Sequence, residues 1–101
     1  MADILATEQA KVLILADGQE YKLPPITLTT LANIEKTMGF GLGTLASRLE
    51  SETMTTIRAL IYALLKENHP HLTLEGVGNL ITLKEIRSIS ETISTIMVIS
   101  S

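Results

Sequence analysis

The sequence has no cysteine and no tryptophan, and it has only one Phe and two Tyr among 101 residues. The lack of cysteine excludes disulfides, thiolate nucleophiles and cysteine-ligated zinc. With so few aromatic rings, the chain offers few platforms on which bases or sugars can stack. The net charge is −3 and no two basic residues are adjacent. A nucleic-acid surface needs clustered Lys and Arg, so we expect no nucleic-acid partner.

The chain also lacks targeting and membrane signals. Its N-terminus, "MADILATEQAK", has neither a basic start nor a long apolar run, so no signal peptide is expected. No apolar segment approaches the roughly 18 residues of a membrane span. Aliphatic residues are abundant instead: 46% of the chain is apolar and the mean hydropathy is +0.32. These features predict one soluble, intracellular domain with an aliphatic core.

The segment "KVLILADGQEYKL" (residues 11–23) predicts a β-hairpin. An aliphatic run leads to Asp17-Gly18, a pair that tolerates positive φ at both central positions of a tight turn, and alternating residues follow. Pro24 and Pro25 end the second strand because neither can donate to a ladder. Residues 1–10 are expected to be a weakly ordered lead-in.

After the prolines, apolar residues recur every three or four positions, which indicates helices. Thr27 and Thr73 are predicted N-caps, Gly39 a C-cap, and Pro70 a helix terminator. Thr82 and Glu85 have the spacing of a capping box. The predicted helices cover about 27–38, 42–50, 53–68, 73–81 and 82–98. The expected fold class is therefore α+β: a mostly helical single domain over 11–101, with four to five helices and an N-terminal hairpin.

Two apolar stripes are expected to face the core. The stripe of the first helix consists of Leu28, Leu31, Ile34 and Met38. The stripe of the last helix consists of Leu83, Ile86, Ile89, Ile93, Ile96 and Met97. The last eleven residues carry only one charge, Glu91, and so apolar a chain end would be awkward in water. We expect part of this end to contact another chain, with Ile89, Ile93, Ile96, Met97 and Ile99 forming a partner or self-association surface.

The segment "KENHPHLTLEGVGNLI" (residues 66–81) contains both histidines, His69 and His71. Together with Glu67 and Glu75 they allow three readings: metal ligands, an acid/base pair, or a junction between helices. A zinc site needs four well-placed ligands, and no H-E-x-x-H spacing is present. The rings on either side of Pro70 should diverge. The junction is favoured, and no metal or cofactor is expected.

Catalytic motifs are also missing from the sequence. The segment "GFGLG" (residues 39–43) follows a helix and lacks the Lys of a phosphate-binding loop, so it reads as a cap and joint. No G-x-S-x-G elbow occurs, and no histidine stands beside a nucleophile. Most acidic residues fall on polar helix faces. We therefore expect no catalytic residue and no enzymatic activity.

Two segments carry a resemblance to a known family: "YKLPPITLTTLANIEKTMG" and "TTIRALIYALLKENHPHLTLEGVGNLI". With the hairpin before them and a final helix after them, they resemble the small tail assembly chaperones of tailed phages and prophages. The resemblance covers Val12 to Ile93. Gly76 departs from it, since a better helix former would be more natural there. The residues that carry the second segment are Arg58, Leu60, Ile61, Tyr62, Ala63, Leu64, Leu65, His69, Pro70, Leu72, Thr73, Glu75, Val77, Gly78, Leu80 and Ile81.

The resemblance implies a non-enzymatic role in the cytoplasm of the bacterial host. Family members bind the long helical tape measure protein before the tail tube polymerises, keep its apolar surface from aggregating, and are absent from the finished virion. A frameshift-extended form is common in the family, and self-association into a homo-oligomer is expected. Two alternatives stay open: a structural virion protein of the tail or connector, and a small helical binding or regulatory module.

Overall fold

The computed structural model describes the backbone of residues 12–100, and the side chains as far as Ser94. The expected α+β class is confirmed, because a two-stranded hairpin precedes a set of helices that make up most of this part of the chain. Residues 1–10 and Lys11 lie outside the described residues. The elements are β1 (Val12–Ile14), β2 (Glu20–Lys22), α1 (Leu28–Met38), a 3₁₀ turn (Leu42–Thr44), α2 (Leu45–Ser51), α3 (Thr53–Lys66), α4 (Leu74–Asn79) and α5 (Ile86–Ser100).

The two strands pair antiparallel, with Leu13 opposite Tyr21. The loop between them is longer than the predicted two-residue turn, because Ile14 pairs with Glu20. Only Gly18 has a positive φ, of 77°. The pair Asp17-Gly18, which tolerates positive φ at both positions, therefore uses it only at Gly18. A loop that ends in one left-handed glycine is a common alternative to the tight turn, and it still matches the twist of the strands.

The Asp17 carboxylate holds this loop in place. It accepts the Gln19 backbone N–H at 3.0 Å and the Tyr21 hydroxyl at 2.6 Å. The Tyr21 hydroxyl and then the Gln19 amide lower the pKa of Asp17, since both bonds favour the charged carboxylate. The same bond to Asp17 raises the pKa of Tyr21, and burial adds to that effect.

The predicted helix ends are confirmed at most boundaries. The Thr27 hydroxyl oxygen accepts the Thr30 N–H at 3.2 Å, and the Thr73 hydroxyl oxygen accepts the Gly76 N–H at 3.0 Å. Gly39 ends α1 in the left-handed region, with φ of 87°. The third helix stops at Lys66, shortly before Pro70. These caps satisfy backbone groups that a helix end otherwise leaves without a partner.

The core forms around α3, which contacts α1, α2 and α4. Four of its side chains, Leu60, Ile61, Leu64 and Leu65, are fully buried. The hairpin adds Leu13, Leu15, Tyr21 and Leu23, and α5 adds Ile89 and Ile93. The hairpin is tied to the helices by two hydrogen bonds: Ala16 N–H to the Leu80 carbonyl at 2.8 Å, and the Asn68 amide to the Lys22 carbonyl at 3.0 Å.

The stripe predicted for the first helix is wrong at its start. Leu28 is 84% exposed, whereas Thr30 is buried. Leu28 is the first helical residue, and its side chain is tilted back towards the N-terminus, away from the packed turns. Thr30 can replace it in the core because its hydroxyl donates to the Pro25 carbonyl at 2.8 Å, so no polar group is left unsatisfied.

The last helix begins later than predicted, at Ile86 and not at residue 82. The Glu85 carboxylate accepts both the backbone N–H and the hydroxyl of Thr82, at 2.7 and 2.6 Å. In a full capping box the hydroxyl would instead accept the Glu85 N–H, but that N–H goes to the Thr82 carbonyl at 3.1 Å. Residues 82–85 thus form a turn before the helix. It leaves Leu83 88% exposed, outside the predicted stripe.

Candidate functional site

The His-Pro-His segment is a helix junction that packs against the hairpin. The His69 N–H donates to the Leu65 carbonyl at 2.9 Å, which continues the end of α3. The His69 ring meets the Tyr21 ring edge to face, with centroids 5.0 Å apart. The His71 ring lies 6.2 Å from that of His69 at an interplanar angle of 80°. The expectation that the two rings diverge is therefore wrong.

The two neighbouring rings do not belong to a visible ligand set. The Nε2 atom of His69 is buried and has no hydrogen-bond partner within residues 12–94. No group of three His, Asp or Glu side chains in that part of the chain is placed to hold a metal ion. Of the acidic candidates, Glu67 is exposed beside the junction and Glu75 lines a different surface. Among the described residues, the segment therefore presents no group of side chains placed to bind a metal ion.

The partner surface predicted on α5 stays a prediction, and the structure places two of its five residues in the core. Ile89 is 1% exposed and Ile93 is 7% exposed, so both are part of this chain's own core. A side chain at such a position packs against its own domain and has almost no area left for another chain. The side chains of Ile96, Met97 and Ile99 lie outside the described residues.

A groove elsewhere on the molecule is the best candidate for a binding surface. It lies between the start of α3, helix α4 and the connection that leads into α5, and its volume is about 560 Å³. We call it the α3–α4 groove. It is lined by Met54, Thr55, Ile57, Arg58, Glu75, Gly78, Asn79, Ile81, Thr82, Leu83 and Ile86.

Five of the eleven residues that line the groove have large apolar side chains. Met54 is 66% exposed and Leu83 is 88% exposed, and they come from opposite elements that border it. Ile57, Ile81 and Ile86 are half-buried below them. A single exposed leucine is ordinary, but exposed and half-buried apolar residues around one concave surface are typical of a protein-binding site.

Local hydrogen bonds fix both sides of this groove. The Thr73 cap determines where α4 begins, and a Cβ at Gly76 would lie only 2.9 Å from the Thr73 hydroxyl oxygen. This close approach is the physical reason for glycine at Gly76, the position that departs from the family resemblance. On the other side, the two bonds from Thr82 to Glu85 hold the turn that carries Leu83.

A second glycine brings α3 and α4 together. The Arg58 side chain lies across Gly78, where a Cβ would be 2.8 Å from Arg58 Cδ and 3.9 Å from Nη1. The aliphatic part of Arg58 therefore packs on the α4 backbone while its guanidinium stays at the groove. The close approach would be lost with any larger residue at Gly78, unless Arg58 moved.

No protein-family model matches the chain, and no curated protein or solved structure is detectably similar to it. Within residues 12–100, no helix is both long enough and apolar enough to cross a membrane. The α3–α4 groove thus has to be interpreted from its own geometry and charges.

Reasoning from sequence missed the groove, although a signal for it exists. Met54 and Ile57 extend the helical spacing of the buried Ile61 back to the start of α3. Leu83 and Ile86 likewise precede the buried Ile89. Both apolar stripes therefore run about one turn beyond the core. The two overhanging ends meet in space, which the linear pattern does not reveal.

Proposed function

We propose that the protein is a tail assembly chaperone of a tailed phage or prophage. In this proposal it holds apolar helical segments of the tape measure protein in the α3–α4 groove until the tail tube polymerises. It acts in the cytoplasm of the bacterial host and has no enzymatic step. The observation that supports the proposal most directly is the exposed pair Met54 and Leu83 beside a half-buried apolar floor.

The groove has the character that an amphipathic helix requires. Helix-in-groove recognition uses a few apolar anchors, spaced at helical intervals, that enter a concave apolar surface. Methionine suits such a surface because its unbranched side chain adapts to different partners. A chaperone that binds many similar segments of one long helical protein benefits from such adaptability.

Co-expression tests the proposal directly. The chain is produced together with the tape measure protein that the proposal assigns to it, and the soluble fraction of the tape measure protein is measured with and without the chain. We expect the tape measure protein to be soluble and to co-elute only when the chain is present. The double variant Met54→Glu/Leu83→Glu should abolish both effects, because binding would then bury two charges and remove them from water.

A matched control separates loss of the groove from a general change of surface. Leu28 is 84% exposed and is not among the residues that line the groove, so Leu28→Glu should leave co-elution intact. Equal loss in Leu28→Glu and in the groove variant would contradict the proposal. So would an unchanged solubility of the tape measure protein in the presence of the wild-type chain.

Three further observations test one alternative and two other parts of the proposal. Mass spectrometry of purified phage particles should not find the chain, whereas a structural component of the tail or connector would remain in them. Light scattering of the purified chain measures the homo-oligomer that we include in the proposal. The neighbouring gene arrangement, with a slippery heptanucleotide near the codons for Ser100 and Ser101 before a very long helical reading frame, would reveal a frameshift-extended form.

A further inference from the structure

Two opposite charges line the α3–α4 groove, and neither has a partner within the described part of the chain. The side chains of Arg58 and Glu75 make no hydrogen bond or ion pair to any residue of 12–94. Some charged side chains elsewhere in residues 12–94 do have partners. The Arg48 Nε donates to the Thr44 hydroxyl at 3.2 Å, and the Glu35 carboxylate accepts the Leu42 N–H at 2.7 Å. The groove therefore keeps two charges available.

The points where Arg58 and Glu75 meet α4 lie about one helical turn apart. The Arg58 side chain lies on Gly78, and Glu75 precedes Gly78 by three residues on the same helix. Positions three apart lie on one face of a helix, with roughly 5–6 Å between their Cβ atoms. The two charges thus border the same apolar floor without neutralising each other.

We propose that the groove selects amphipathic helices that carry an acidic and a basic residue about one turn apart beside their apolar stripe. The acidic residue binds the Arg58 guanidinium, which suits a carboxylate because of its planar array of donors. The basic residue binds the Glu75 carboxylate. Apolar contacts with Met54, Ile57 and Leu83 supply most of the affinity, and the charges supply selectivity and orientation. The proposal rests on the proposed function for the identity of the natural client.

Designed peptides provide the test. Labelled helical peptides of about 18 residues, long enough to form a helix, share one apolar stripe and differ at two positions. The first peptide has Glu and Lys there, four residues apart and made in both orders. The second has Gln at both positions, the third Lys at both, and the fourth Glu at both. Fluorescence anisotropy with the full chain gives the Kd at about 0.05 and about 0.5 M NaCl.

We expect the Glu/Lys peptide, in its better order, to bind about fivefold more tightly than the Gln peptide at low salt. This is the size expected of partly exposed ion pairs. The advantage should shrink at high salt because the pairs are screened. Equal affinity of the Glu/Lys and Gln peptides at low salt, or no detectable binding of the Glu/Lys peptide, would overturn the proposal.

Charge reversal in the protein identifies the residues involved. Arg58→Glu should raise the Kd of the Glu/Lys peptide by about tenfold, since it replaces an attraction with a repulsion. The same variant should bind the Lys/Lys peptide more tightly than the wild type does. Glu75→Lys should show the mirror pattern with the Glu/Glu peptide. If Arg58→Glu disturbs the packing on Gly78, the result with Glu75→Lys decides whether the charge preference exists. The exposed Lys36 of α1 offers a matched control, and Lys36→Glu should change no preference.

The outcomes separate this inference from the proposed function. The designed peptides come from no tail protein, so their rank order tests only the charge preference of the groove. If the tape measure protein co-elutes but Arg58→Glu and Glu75→Lys leave every peptide preference unchanged, the charge selectivity is wrong and the chaperone role stands. If the peptides show the predicted preferences but the tape measure protein does not bind, the groove has another helical client.

Discussion

The substitutions Ile89→Ala and Leu83→Ala should affect different properties, the first stability and the second binding. Both residues were expected in one apolar stripe. Ile89 is 1% exposed and Leu83 is 88% exposed. Truncating Ile89 removes three carbon groups from the core, worth about 0.8 kcal/mol each in transfer free energy. A cavity term is added, so we expect a loss of about 3–4 kcal/mol in the free energy of unfolding.

The corresponding change at Leu83 is small because little of the side chain is buried. With 88% of its surface in water, the lost transfer free energy is only about 0.3 kcal/mol. For a domain of this size, 1 kcal/mol shifts the melting temperature by about 4–8 °C. Ile89→Ala should therefore lower Tm by roughly 12–30 °C, and Leu83→Ala by no more than about 2 °C.

Urea and thermal unfolding followed by far-ultraviolet circular dichroism measure both variants, and co-elution with the tape measure protein measures binding. We expect Leu83→Ala to weaken binding without loss of stability, and Ile89→Ala to lose stability. The reasoning is refuted if Ile89→Ala unfolds within about 1 kcal/mol of the wild type, below the range for buried truncations, while binding is lost. That result would place Ile89 on a partner surface and not in the core.

Three further predictions concern the elements that shape the fold and the groove. Gly39→Ala should cost about 1–2 kcal/mol in urea unfolding because Gly39 has a φ of 87°, whereas Gly43→Ala, which meets no atom within 4 Å, should cost much less. Thr73→Ala should lose about 1 kcal/mol by removing the cap of α4 and should weaken peptide binding to the groove, and Thr73→Ser should retain both. Glu85→Gln should be less stable than the wild type at pH 7, and unfolding at several pH values should show this difference shrinking below pH 4.5. The Thr82 hydroxyl and amide lower the Glu85 pKa from 4.5 in the folded chain, so their stabilisation is present above that pH and is lost as the pH falls through the folded pKa. A difference that stayed constant from pH 7 to well below 4.5 would contradict the account.

The helix boundaries could be predicted because local chemistry encodes them. The Thr27 and Thr73 hydroxyls cap the amide three residues on, and Gly39 adopts the left-handed conformation that favours glycine. Each of these interactions joins residues that are close in sequence, so a short pattern contains both partners. The class of fold followed from the same patterns, since a hairpin signal preceded a series of helical ones.

The errors arose where one pattern permitted two local solutions. Asp17-Gly18 fits a two-residue turn as well as a longer loop, and the bond from the Tyr21 hydroxyl to Asp17 belongs to the longer loop. Thr82 and Glu85 fit a capping box as well as the turn that forms. In both places a side-chain hydrogen bond stabilises the structure that the sequence analysis did not predict. Because of the turn at Thr82, α5 begins four residues later than predicted, and Leu83 lies at the surface and not in the core.

The shift at Thr82 is also what connects the fold to the groove. Had α5 begun at residue 82, Leu83 would have continued the stripe of the buried Ile89 and would have packed inward. The bonds from Thr82 to Glu85 instead hold Leu83 in water beside the α3–α4 groove, where Met54 is also exposed. Because these bonds hold the backbone that carries Leu83, less backbone entropy is lost when a helix binds. Under the proposed function, the exposed leucine is a binding residue that a short hydrogen-bonded turn keeps away from the core.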